Sequence, residues 1–199
     1  MLNPLTSKSP VETCFLSQVT CSDQREFQYP SKDVGLHFQV PANYGVDIKV
    51  RDDANVDIRN LEGGPFDIIM DQGTCHMKNL RGSHLGVKTN GGSIECESQL
   101  LFEFGNLNTK KKGKISVKKL QGKEFCLETE NGAIDVGASY VLKAQLSSES
   151  GHINLGDIHG EYTMHLLGNT WLQNPDQGHC IASLSKLLYS LFVFLLSEE

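Results

Sequence analysis

The sequence Gly113-Lys-Ile-Ser-Val-Lys-Lys-Leu-Gln-Gly122 indicates the fold of the chain, because its arrangement of small and apolar residues recurs along the chain. In each copy a small residue is followed two and four positions later by apolar residues. The copies begin at Ala54, Gly73, Gly92, Gly113, Gly132 and Gly151. Successive starts lie 19, 19, 21, 19 and 19 residues apart. Six matches at a nearly constant spacing indicate an internal repeat.

Each repeat has the sequence character of short strands with one buried face. Apolar residues at every second position predict strands, and turn dipeptides such as Asn90-Gly91 and Asn131-Gly132 separate them by supplying a positive φ. A unit of 19 residues cannot bury its apolar face alone, so the units must stack. The repeats therefore predict an all-β, single-stranded β-solenoid, similar to a β-helix. An antiparallel sandwich is the alternative, and a coil could hold one repeat or two.

The extent of the repeats divides the 199 residues into three regions. Residues 1–33 are a polar segment that we expect to be partly disordered, and residues 34–169 form the solenoid. Residues 170–199 lose the repeat and form an apolar tail, which could be a helix over the end of the solenoid or a membrane-associated segment. Its most apolar stretch, residues 187–196, has ten residues, fewer than the ~20 that span a bilayer. The two extra residues of the third repeat predict a loop between Leu100 and Lys112.

Composition excludes several classes of protein. The 18 basic and 24 acidic residues give a net charge of −6, which argues against binding nucleic acid with the whole chain. None of the six cysteines forms a C-x-x-C pair, which disfavours a zinc ribbon or a redox dithiol. Cys75 and Cys96 fall at inward positions, whereas Cys126 should face outward and be the most readily modified of the three. The first residues lack a signal or transit pattern, so we expect an intracellular, cytoplasmic protein.

A run of seven lysines without an acidic residue is the first candidate site. It comprises Lys110, Lys111, Lys112, Lys114, Lys118, Lys119 and Lys123. Without these seven positive charges the net charge of −6 becomes −13, so positive charge is concentrated here. The run predicts contact with a polyanion such as a phospholipid surface or an acidic protein, and the alternative is a solvated face. Nucleic acid is the weakest candidate partner, because no aromatic residue lies among the lysines to stack on bases.

A polar ladder is the second candidate site. It consists of the outward residues between the two apolar positions of each repeat, Asp57, His76, Glu95, Ser116, Asp135 and Asn154. If one repeat is one coil, the first three are neighbours, and they could form a metal site, an acid–base pair or cross-strand ion pairs. Of these possibilities, we predict cross-strand ion pairs. Because no nucleophile, phosphate-binding or metalloprotease motif occurs, we predict no enzyme, no cofactor and no metal. A carbohydrate-cleaving β-helix is the alternative.

The stretch Phe38-Gln-Val-Pro41 and the glycine-punctuated repeats after it resemble the putative-adhesin domain family, whose function is unknown. The similarity covers residues 34–169 and includes the segments at 127–141 and 147–162. The resemblance implies a β-solenoid without an established enzymatic role and, through animal members, a mitochondrial location. It also implies a truncated or alternatively spliced form, because another repeat would follow residue 169. We therefore expect a scaffold or interaction module that binds an unidentified protein partner through an outward face.

Overall fold

A computed structural model describes residues 44–166, 172–174, 180–183 and 193–195, with side chains for 44–50 and 53–165. All described residues are strand, turn or irregular, and none is helical. The strands are β1 (Val46–Asp53), β2 (Val56–Arg59), β3 (Glu62–Gly63), β4 (Phe66–Gln72), β5 (Thr74–Lys78), β6 (Leu80–Thr89), β7 (Ser93–Thr109), β8 (Ile115–Thr129), β9 (Ile134–Ser148), β10 (Ile153–Leu166), β11 (Leu172–Asn174), β12 (Cys180–Ser183) and β13 (Val193–Leu195).

Strand pairing confirms the β-solenoid and assigns one repeat to each coil. Ile94 pairs with Ile115, Ile115 with Ile134, and Ile134 with Ile153, always in parallel. A sandwich of hairpins would pair its strands antiparallel, so that alternative is wrong. Because each residue lies beside its counterpart one repeat away, the coils stack ~4.8 Å apart like the strands of any sheet.

Two corners divide each coil into three faces. In β8 the alternation of buried and outward residues is interrupted between Lys118 and Lys119 and again between Lys123 and Glu124. β9 is interrupted at the corresponding positions. We number the faces in chain order within each coil. In β8 the first face is residues 115–117, the second face is 119–122 and the third face is 125–129. A turn after the third face leads into the next coil.

The interior is a continuous file of apolar side chains in which glycines make room for aromatic rings. The inward residues Cys75, Ile94, Ile115, Ile134 and Ile153 of the first face are fully buried. Beside the second face, Phe66 and Phe102 meet edge to face with centroids 5.6 Å apart. A Cβ on Gly82 would lie 2.8 Å from the Phe102 ring and 2.9 Å from the Phe66 ring. Glycine is needed at position 82 because two neighbouring coils place large rings there.

Buried hydroxyl groups fasten the turn that links successive coils. Thr89, Thr109, Thr129 and Ser148 lie in register and are all buried. Thr129 Oγ1 donates to the Gly113 carbonyl at 3.1 Å and accepts from the Gly132 amide at 2.9 Å. A Cβ on Gly132 would overlap the Gly113 carbonyl oxygen. Gly132 is not among the residues with positive φ, so close approach of the backbones, and not a positive φ, requires glycine here.

The two extra residues of the third repeat are absorbed without the loop that we predicted between Leu100 and Lys112. Residues Leu100–Thr109 are strand and pair in register with Leu80–Thr89. One extra residue lies at the first corner, where the register between β7 and β8 shifts between Cys96 and Gln99. The other lies in the turn at 110–112, where Lys111 takes a positive φ of 55°. The predicted loop was wrong, because the insertions are split between a corner and a turn.

The described part of the tail continues the stack as strands. Leu172 pairs in parallel with Ile153 and also with Val193, and Cys180 pairs with Tyr162. These positions are therefore extended, and the helix considered for the tail does not occur at them. Among the residues given above, no helix is long and apolar enough to cross a membrane. The predicted segment 1–33, the stretch at 38–41 and the other tail residues lie outside the described part.

Candidate functional site

The first face brings the polar ladder together, as the one-repeat coil requires. Asp57 pairs with His76, and His76 with Glu95, on successive coils. His76 Nδ1 lies 3.4 Å from Glu95 Oε2, whereas Asp57 forms its ion pair with Arg59 of its own strand. The hydrogen bond from Arg59 lowers the pKa of Asp57. Within the described residues no group of three or more His, Cys, Asp or Glu side chains could hold a metal ion. His76 and Glu95 thus form a cross-strand pair, whereas Asp57 is paired within its own strand.

The later part of the ladder is also internally paired. Lys114 Nζ lies 2.6 Å from Asp135 Oδ2, and Asn154 Nδ2 donates to Asp135 Oδ1 at 2.9 Å. Burial raises the pKa of Asp135, but the hydrogen bonds from Lys114 and Asn154 outweigh burial, so its pKa lies below the usual value of 3.8. Most polar side chains of the first face thus have partners within the protein and are not available to a ligand.

The seven lysines of the basic run wind around one coil and do not form one face. Their positions are the turn (Lys110, Lys111 and Lys112), the first face and its edges (Lys114 and Lys118), the second face (Lys119) and the second corner (Lys123). Lys114 pairs with Asp135, and Lys123 Nζ lies 3.0 Å from Glu103. Lys119 Nζ lies 5.2 Å above the Tyr140 ring. The three turn lysines, Lys110, Lys111 and Lys112, are consecutive in the chain and all exposed.

The third face carries a groove that the sequence analysis did not identify. It is open to solvent, has a volume of about 760 Å³ and crosses the coils of β4 and β6 to β10. Its floor consists of one outward residue from each coil, namely Asp67, Gly86, Asn106, Cys126, Gln145 and Thr163. Its wall is the neighbouring row, namely His84, Phe104, Glu124, Lys143 and Glu161.

Polar side chains in the groove are left without partners. Glu124, Lys143 and Glu161 stand on successive coils with alternating charge, yet none of them joins an ion pair within the described residues. Asn106, Gln145 and Thr163 likewise make no side-chain hydrogen bond to any described residue. Unpaired donors and acceptors along one line are what an external ligand can use.

One end of the wall is aromatic. The rings of His84 and Phe104 stack with centroids 5.1 Å apart and an interplanar angle of 23°. Phe104 keeps 37% of its surface exposed, although it is a large apolar residue. Glycine at position 86 makes room for the Asp67 carboxylate of the neighbouring coil, since a Cβ there would lie 2.5 Å from Asp67 Oδ1. The wall is therefore aromatic at one end, on two neighbouring coils, and charged on the three coils that follow.

The three cysteines whose side chains the structure describes have protonated, weakly reactive thiols. Burial raises the pKa of Cys75 to about 12 and that of Cys96 to about 11. Cys126 faces outward on the groove floor, as the alternation predicted, but partial burial and the nearby Glu128 carboxylate raise its pKa to about 12. Since the thiolate is the reactive form, the groove contains no activated cysteine nucleophile.

Outward residues of the third face show no class that repeats from coil to coil, which is why the sequence pattern missed the groove. The signals that could have found it are Gly86 at an outward strand position and Phe104 among polar residues. The resemblance to the adhesin-like family stays a prediction. Comparison of the chain with known protein families gives no match, and comparison with solved structures also gives none.

Proposed function

We propose that the chain is a non-enzymatic β-solenoid interaction module that binds its partner along the groove of the third face. The observation that carries this proposal is the contrast between the faces. Side chains of the first face bond to one another, as Lys114, Asp135 and Asn154 do, whereas Gln145 and Lys143 of the groove have no such partners among the described residues. An internally paired face has few groups to offer a partner.

The openness of the groove supports binding without catalysis. Acid–base and electrostatic catalysis work best in a site that excludes water and holds its groups rigidly. Glu124 and Glu161, the carboxylates of the wall, are exposed and are separated by Lys143 on the intervening coil. Two coil spacings place them about 10 Å apart along the axis. The carbohydrate-cleaving alternative would need these groups to act on a bound sugar in open solvent.

Photo-crosslinking in cells tests the proposal. A diazirine amino acid replaces Gln145 on the groove floor in one variant and Gln121 on the second face in the other. Because a carbene inserts into C–H and O–H bonds, it captures a partner of any chemical class. We expect a discrete adduct from position 145 and none from position 121. No adduct at 145, or the same adducts at both positions, would contradict the proposal.

A second candidate function rests on the turn lysines. Lys110, Lys111 and Lys112 form no ion pair with any described residue, although the Lys111 amide donates to the Glu130 carboxylate at 2.8 Å. Three adjacent exposed ammonium groups at one turn support contact with an anionic surface. This candidate uses a different part of the molecule from the groove, so the two can be tested separately.

A further inference from the structure

We infer that the groove binds an uncharged, linear oligosaccharide, an inference that rests on the proposed function and names the class of ligand. The groove combines three features that such a ligand needs, which are a nearly neutral lining, floor side chains that both donate and accept hydrogen bonds, and an aromatic end of the wall. Each feature comes from a different set of residues on the third face.

The charges of the groove argue against a polyanion. The charged residues that line it are two lysines, Lys88 and Lys143, and three carboxylates, Asp67, Glu124 and Glu161. None of the seven lysines of the basic run lines the groove. Signs alternate along the wall, from Glu124 to Lys143 to Glu161 on successive coils. A ligand that carries one sign of charge along its length would meet a like charge at every second coil. An uncharged ligand avoids this electrostatic repulsion.

The polar groups of the floor suit hydroxyl groups. Asn106, Gln145 and Thr163 each carry both donor and acceptor capacity, as sugar hydroxyls do. The floor row repeats with the coils, so Gln145 and Thr163 on successive coils are ~4.8 Å apart, a spacing close to the length of one sugar unit. Asn106 stands two coils from Gln145, with Cys126 between them. An extended peptide advances only ~3.3 Å per residue and falls out of step with the coils. The spacing therefore favours a glycan over a peptide along the axis.

The aromatic end of the wall offers the exposed parts of its rings to the C–H groups of a sugar, beside Lys123 Nζ, which lies 6.0 Å from the centroid of the Phe104 ring. His84 and Phe104 stack on each other and remain exposed above the floor. The volume of about 760 Å³ falls within the range of about 300–1,000 Å³ typical of small-molecule sites and would hold an oligosaccharide of several units.

The test uses the full chain and an array of uncharged and anionic oligosaccharides, followed by titration of the hits with NMR and calorimetric readouts. We expect an uncharged glycan to bind saturably, with amide shifts confined to the third face. Gln145→Ala should weaken binding about fivefold through the loss of one hydrogen bond, while Gln121→Ala on the second face should leave it unchanged. Phe104→Ala should weaken binding, and Tyr140→Ala is its aromatic control on the second face.

Four outcomes would overturn the inference. They are the absence of any saturable uncharged glycan, binding of anionic glycans only, amide shifts on another face, and equal weakening by the groove and control variants. If the diazirine at position 145 captures a polypeptide and no glycan binds, the ligand inference fails and the proposed function stands. If position 145 captures nothing while a glycan shifts other faces, both fail.

Discussion

Replacing Thr129 with valine should destabilise the solenoid more than its small change in shape suggests. Valine keeps the volume and branching of threonine but removes the hydroxyl, which here donates to the Gly113 carbonyl and accepts from the Gly132 amide. Thr129 is buried, so water cannot replace the lost partners. The variant therefore leaves one buried acceptor and one buried donor unsatisfied in two adjacent coils.

The size of the effect follows from those two groups. An unsatisfied buried polar group costs about 1–3 kcal/mol, so the pair predicts a loss of about 3 kcal/mol in the free energy of unfolding. Urea denaturation followed by circular dichroism measures this loss. With a slope of about 2 kcal/mol per molar urea, the midpoint should fall by about 1.5 M.

Ser139→Ala is the matched control, because Ser139 also has a buried hydroxyl. Its Oγ has no hydrogen-bond partner among the residues that the structure describes, and Ser139 stands in the inward file between Leu120 and Ile158. Removing an unsatisfied buried hydroxyl should leave stability unchanged or raise it by about 1 kcal/mol. The reasoning is refuted if Thr129→Val is as stable as the wild type, or if Ser139→Ala loses as much as Thr129→Val.

Three further predictions concern electrostatics. Lys114→Met should raise the pKa of Asp135, because the lysine lowers it in the wild type. Since the folded pKa lies below the usual value, the stability that this carboxylate contributes is present above about pH 4 and is lost on acidification. The variant should therefore lose less stability than the wild type as the pH falls. Carboxyl-carbon NMR measures the pKa, and an unchanged value would contradict the assigned cause. Glu128→Gln should lower the pKa of Cys126 from about 12 and speed its alkylation at pH 9, whereas an unchanged rate would mean that burial alone controls this thiol. Changing all three lysines at 110–112 to serine should weaken binding to phosphatidylserine vesicles about a hundredfold, at about 1 kcal/mol per lysine. If the binding of the wild type does not weaken with added salt, the turn lysines are not the binding surface.

Most of the fold was predictable from the sequence because inward positions are held to one residue class. Ile94, Ile115 and Ile134 occupy equivalent sites in successive coils, so each must fill the same space with the same shape. That constraint appears in the sequence as a period, and the period predicts the register. The hydrogen bonds of the buried Thr129 hydroxyl were not predicted, because threonine is common before exposed turns as well as before buried ones.

The groove could not be predicted, because outward positions are not constrained by stacking. Asn106 and Gln145 occupy equivalent outward sites but share only their polarity, and Cys126 between them differs from both. Whether two such side chains bond to each other or stay free depends on rotamers and on neighbours from adjacent rows. The ladder at Asp57 and His76 was predictable as a set of neighbours for the opposite reason, since adjacency follows from the register alone.

The split of the two additional residues between a corner and a turn shows where this architecture can grow. The backbone hydrogen bonds of the faces are unaffected by one more residue beside Cys96 or after Thr109. Segments added at these two places would extend into solvent while the rungs above and below keep their contacts. The molecule can thus gain new surface features in small evolutionary steps, and a designer could graft epitopes at the same places without redesigning the interior.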